Sequence, residues 1–100
     1  MKKEASFKTE LYKEIRDKFP GSEVVPNDPT CLQGFPDATV YFPNGKYVLL
    51  EGKRSSNSAK QPNQDYYVNN SPLSGNAMFV YPENKKEVLD ELERRYRSEV

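Results

Sequence analysis

The chain contains no histidine. That absence excludes Ser-His-Asp and Cys-His nucleophilic relays, and every metal centre held by imidazole. A single cysteine, Cys31, excludes an internal disulfide, and no Cys-x-x-Cys pair exists to hold zinc. Net charge is also missing, because fifteen basic and fifteen acidic residues cancel. Whole-chain charge therefore gives no reason to expect a polyanionic partner. No apolar run approaches the length of a membrane span, and the opening MKKEASFKTE lacks the hydrophobic segment of an export signal. A soluble, intracellular protein without membrane contact is expected. Any catalysis must run on carboxylates, lysine, tyrosine and metal.

What is present fits one domain. One hundred residues suffice for a single modest core, and the sequence shows no internal repeat, low-complexity tract or second domain over 1–100. Charge is unevenly distributed. Between Lys46 and Lys60 four bases face one acid, whereas between Gly21 and Gly45 there are three acids and no base. The two stretches meet at Gly34 to Lys53, GFPDATVYFPNGKYVLLEGK, which reads as two apolar strands joined at Pro43-Asn44-Gly45. Residues i and i+2 of a strand share a face, so Glu51 and Lys53 point the same way. The short connection folds Asp37 back beside them. Two carboxylates and a lysine converge at one end of a small sheet, a group able to hold a divalent metal and assist attack on a phosphodiester.

The flanking elements follow from periodicity and breakers. Phe7, Leu11, Ile15 and Phe19 recur every four residues and predict a helix over 3–19, stopped by Pro20-Gly21. Glu10 and Glu14 border its apolar stripe. Ser22 to Pro26 is predicted as a strand and 27–33 as a loop. Ala38 to Phe42 forms the next strand, with Ala38, Val40 and Phe42 on one face. Tyr47 to Glu51 carries the run Val48-Leu49-Leu50, which suits a central strand covered on both faces. Glu51 closes that run, where a lone acid is costly unless paired or metal-bound. After a polar loop, Pro62 opens a helix with Gln64 in its first turn and Tyr66, Tyr67 and Val68 continuing to Asn69-Asn70. One of the two tyrosines is expected in the core, and base stacking is the alternative use. A last strand covers 76–81. Asn84 with Glu87 reads as a capping box for a final helix to about Ser98, whose Arg94, Arg95 and Arg97 suit a solvated face.

The residue types select the chemistry. Oxygen ligands without imidazole or thiolate favour Mg²⁺ or Mn²⁺, and Asp37 with Glu51 supplies the one or two protein carboxylates such an ion uses. Lys53 is placed to orient or deprotonate the attacking water, or to contact phosphate, with Gln64 holding the lysine or the water. Arg54 and Lys60 flank the site as phosphate contacts that read charge and shape. The plain alternative makes Asp37 a turn acid and Glu51–Lys53 an exposed ion pair at a strand end.

Three blocks in this order, Gly34-Phe35-Pro36-Asp37, Glu51-Gly52-Lys53 and Pro62-Asn63-Gln64, resemble the PD-(D/E)XK nuclease superfamily. They look most like its VRR-NUC (virus-type replication-repair nuclease) branch. The resemblance covers about residues 10 to 92. It implies an α/β, restriction-endonuclease-like core in the order αβββαβα, with a central mixed four-stranded sheet flanked by helices. It also implies a Mg²⁺- or Mn²⁺-dependent deoxyribonuclease acting on branched DNA, such as Holliday junctions, as a homodimer. Standalone members of the branch occur in phages, which places a phage-encoded protein in the host cytoplasm. The family's first-helix glutamate, a further metal ligand, has two candidates here, with Glu10 preferred over Glu14. A catalytically silent nucleic-acid-binding or interaction module on the same fold is the alternative function.

Overall fold

Helix α1 (Glu4–Lys18) forms because one stripe of its surface is apolar: Phe7, Leu11 and Ile15 are all buried. Beyond it the computed structural model, which describes residues 3–98, places β1 (Glu23–Pro26), β2 (Ala38–Tyr41) and β3 (Tyr47–Gly52). Then follow α2 (Pro62–Asp65), β4 (Ala77–Val80) and α3 (Lys85–Arg97). The helix and strand order expected from the sequence is present, in a compact α/β domain.

The four strands lie in the order β1-β2-β3-β4. The first two pairings are antiparallel and β3–β4 is parallel, which makes the sheet mixed. β3 is an inner strand, as its unbroken apolar run predicted, and every residue from Val48 to Gly52 is buried. Its alternation divides the core. Val48 and Leu50 join Val40, Ala38 and Val80 beneath α1 and α3, which contribute Leu11, Ile15, Leu89 and Leu92. Leu49 faces the other way and packs with Val68 and Ala77, edged by Phe35, Leu73 and Phe79.

The hairpin sets the register that matters. Ala38 pairs with Leu50 across β2 and β3, so the next step outward sets Asp37 opposite Glu51. At the far end Asn44 turns its amide onto the end of α3, donating to the carbonyls of Arg95 (2.8 Å) and Ser98 (3.1 Å). The turn is thus fastened to the rest of the protein rather than left in solvent.

Three local expectations are corrected. The helix after Pro62 is α-helical only to Asp65 and continues as a π-helical turn over Tyr66–Asn70. Asp65 explains the widening: its carboxylate accepts the side-chain amides of Asn69 (2.8 Å) and Asn70 (3.1 Å), four and five residues on. Asn84 precedes α3, but its side chain does not cap it with Glu87. Its Oδ1 accepts the Tyr81 N–H at 2.9 Å and its Nδ2 donates to the Phe79 carbonyl at 3.1 Å, tying the end of β4 to the helix start. Neither tyrosine is buried in the core, where one of the two was expected; Tyr67 is half-buried at its edge. Tyr67 packs edge-on against Phe35 at 5.1 Å, while Tyr66 stays exposed.

Candidate active site

Asp37 and Glu51 are brought together by the register, and the backbone explains how the first is aimed. Oδ2 of Asp37 accepts the Gly52 N–H at 2.9 Å, so the carboxylate is pinned to the end of β3. Glu51 is only 3% exposed and Lys53 only 7%, which rules out an exposed ion pair at the strand end. Lys53 is carried past the end of β3 by its N–H bond to the Val80 carbonyl, 2.8 Å. Its Nζ then donates to Gln64 Oε1 at 2.7 Å. The same oxygen accepts the Gln61 N–H at 3.0 Å, and Gln64 Nε2 lies 3.4 Å from Glu51 Oε2. One amide thus joins the lysine to the acid, and the four residues Asp37, Glu51, Lys53 and Gln64 form one connected group.

Gly34 makes this convergence possible. It has φ +79°, and a Cβ there would lie 2.3 Å from Cβ of Asn63. Only glycine lets the loop before Asp37 press against the start of α2 and so deliver Gln64 to the carboxylates. Gly34→Ala is expected to cost about 3 kcal/mol, through both the strained φ and the overlap. Urea unfolding checks it, and an unchanged midpoint would show that the two segments do not need this contact.

The electrostatics are those of a strained acid pair. Burial, and then the negative charge and hydrogen bond of Asp37, push Glu51 up from its ordinary 4.5 to about 8. The nearby Lys53 and Lys8 oppose that shift without cancelling it. The sign for stability follows. The folded protein holds this proton more tightly than the unfolded chain, so the contribution is complete below about 4.5 and is lost as pH rises through about 8. Metal-free protein is expected to lose on the order of 3 kcal/mol across that window. Urea titrations at a series of pH values measure it, and stability that rises steadily from weakly acid to alkaline pH would contradict the pair.

Three neighbours were not singled out from the sequence. Lys8 Nζ lies 2.8 Å from Asp37 Oδ2 and 3.0 Å from Glu4 Oε2. Burial would lower the Lys8 ammonium, but its bonds to Asp37 and Glu4 hold it above its ordinary value. Tyr12, one turn further along α1, is pushed up to about 12 by burial and by the charge of Asp37. Glu4, Lys8 and Tyr12 recur every four residues beside the apolar stripe, the one signal in the sequence that could have marked them.

Glu10 is not brought to the pair. It follows Lys8 by two residues, roughly 200° around the helix, and lines a shallow cavity with Phe7, Leu11, Pro82 and Lys85. Glu14 is on the same flank, paired with Lys85 at 2.8 Å. Neither first-helix glutamate considered from the sequence therefore joins Asp37 and Glu51. Arg54 is exposed next to Lys53. Lys60 is exposed too, its ammonium over the rings of Phe79 (5.2 Å) and Tyr81 (5.9 Å). A cavity of about 340 Å³, bounded by Gln33, Gly34, Gln61 and Asn63, opens beside Gln64. A second cavity, about 390 Å³, lies at the other end of β3 around Lys46, Gly75, Arg94 and Arg95. Both of its arginines are engaged by Glu91, so it offers no comparable chemistry.

No group of three or more acidic, cysteine or histidine side chains suited to a metal occurs among the described residues. The two adjacent carboxyls nevertheless fit a hard divalent ion that keeps most of its shell as water and phosphate oxygen. The upward shift of Glu51 beside Asp37 marks excess negative charge that such an ion would neutralise. Among the described residues no helix is long and apolar enough to cross a membrane. Comparison with known protein families, curated proteins and solved structures finds no match to this chain.

Proposed function

We propose that this chain is a metal-dependent deoxyribonuclease with a restriction-endonuclease-like core, of the PD-(D/E)XK kind. The observation that carries the proposal is the pair formed by half-buried Asp37 and buried Glu51, with buried Lys53 held against it by Gln64. A structural ion pair has no need of a second carboxyl forced against the first, and such conflicts with stability tend to mark sites of chemistry.

Asp37 and Glu51 would hold Mg²⁺ or Mn²⁺, which when bound acidifies a water and offsets charge building on the phosphate. In the reaction a water oxygen bonds to phosphorus and the bond from phosphorus to one ester oxygen breaks, leaving a phosphate monoester and a hydroxyl. Lys53 stands on the Glu51 face, where it positions the attacking water and faces the developing negative charge. Gln64 keeps Lys53 from wandering by accepting its N–H at 2.7 Å. Arg54 and Lys60, both exposed, hold flanking phosphates.

One chain carries one such group and cuts one strand. Paired cuts in a branched substrate therefore call for two copies, and a two-fold homodimer supplies them. The test is incubation of the purified protein with linear, flap, fork and four-way DNA in Mg²⁺ or Mn²⁺, with a chelator control. Chelator-sensitive cleavage is expected, strongest on branched DNA. Binding without cleavage under every metal condition would instead favour a silent nucleic-acid-binding module.

A further inference from the structure

The residue of α1 that reaches the carboxylates is a base. Lys8 Nζ sits between Glu4 Oε2 at 3.0 Å and Asp37 Oδ2 at 2.8 Å. That is where a cation bridging a first-helix acid and the strand acid would lie. Its aliphatic stem crosses the end of β3 directly over Gly52, where an added Cβ would come within 2.9 Å of Lys8 Cγ and 3.1 Å of its Cε. Lys8 is therefore seated in a space that the absence of a side chain at Gly52 provides, unlike the i,i+4 pairs of the exposed helix surface such as Lys86–Asp90.

The consequence concerns how many ions Asp37 can serve. A carboxylate shared by two cations offers one oxygen to each. Oδ2 of Asp37 already accepts the Gly52 N–H at 2.9 Å and the Lys8 ammonium at 2.8 Å, which occupies its lone pairs. Only Oδ1 remains to be offered with Glu51. We propose that Lys8 takes the place of a second cation, so that the chain binds a single divalent ion through Asp37 and Glu51; this presupposes the metal-dependent reading above.

The test is calorimetric titration of the full chain with Mn²⁺ in mildly alkaline buffer without DNA, checked by the loss of free-Mn²⁺ signal in electron paramagnetic resonance. The parent should bind one ion per chain. Lys8→Met, which removes the ammonium but keeps a helix-favouring stem, should bind two, the second between Glu4 and Asp37. Adding Glu4→Gln to Lys8→Met should return the count to one, and Lys8→Arg should keep it at one. Should Lys8→Met not fold by circular dichroism, Lys8→Gln carries the same comparison. Two ions in the parent, or one in Lys8→Met, would overturn the substitution of lysine for metal while leaving the nuclease proposal standing. No ion in the parent would overturn both.

Discussion

Asp37→Asn and Glu51→Gln are each expected to lower cleavage at saturating Mg²⁺ by ~10³-fold or more while the fold persists. Neither carboxylate packs in the hydrophobic core. Asp37 stands just outside β2, and an asparagine oxygen can still accept the Gly52 N–H that now binds Asp37 at 2.9 Å. Glu51 is 3% exposed, so its loss also bears on stability. Its carboxyl is pushed up to about 8 by burial and by Asp37, and a neutral glutamine removes the charge that alkaline pH would force into that space. Metal-free Glu51→Gln should therefore unfold at higher urea than the parent at alkaline pH, and the two should converge at weakly acid pH. Loss of activity together with a gain in stability separates a site residue from a structural one. Full cleavage in either variant would remove the carboxylates from the mechanism.

Lys53→Ala should slow single-turnover cleavage of bound DNA by ~10²–10³-fold, within the range that a positioned proton-handling or charge-stabilising group supplies. Mn²⁺ binding by the same variant should persist, because Lys53 lies beside the carboxylates and its Nζ is held by Gln64 at 2.7 Å. Its backbone bond to Val80, 2.8 Å, is independent of the side chain, so β3 should keep its place. The discriminating measurement is rate at saturating enzyme against affinity for DNA. A loss confined to affinity, with normal turnover of the saturated complex, would make Lys53 a phosphate clamp and nothing more.

Much of this arrangement is legible along the chain because short-range rules govern it. The hairpin has its turn residues at Pro43 to Gly45 and alternating strands on either side, so the approach of Asp37 to Glu51 follows from register alone. The Val48 to Leu50 run announces an inner strand, and Pro62 with Gln64 announces the segment that closes the site. What was not legible depends on helix rotation. Glu10 and Glu14 border the apolar stripe as expected, but on the flank facing Lys85, whereas the flank facing Asp37 carries Glu4, Lys8 and Tyr12. Periodicity shows which residues edge a buried stripe, but not which edge meets the site.

The same division holds for the chemistry. Residue types excluded imidazole chemistry and paired-cysteine centres and pointed to carboxylates, a lysine and an amide in a fixed order, because composition and strand alternation are properties of the chain itself. Tertiary packing decided that Glu51 and Lys53 are buried, that Gln64 rather than water receives the lysine, and that Lys8 lies on Asp37. Each of those contacts joins elements distant in sequence, and its energy depends on desolvation and on atoms meeting within about 3 Å. Such terms exist only after α1, α2 and the sheet have closed on one another.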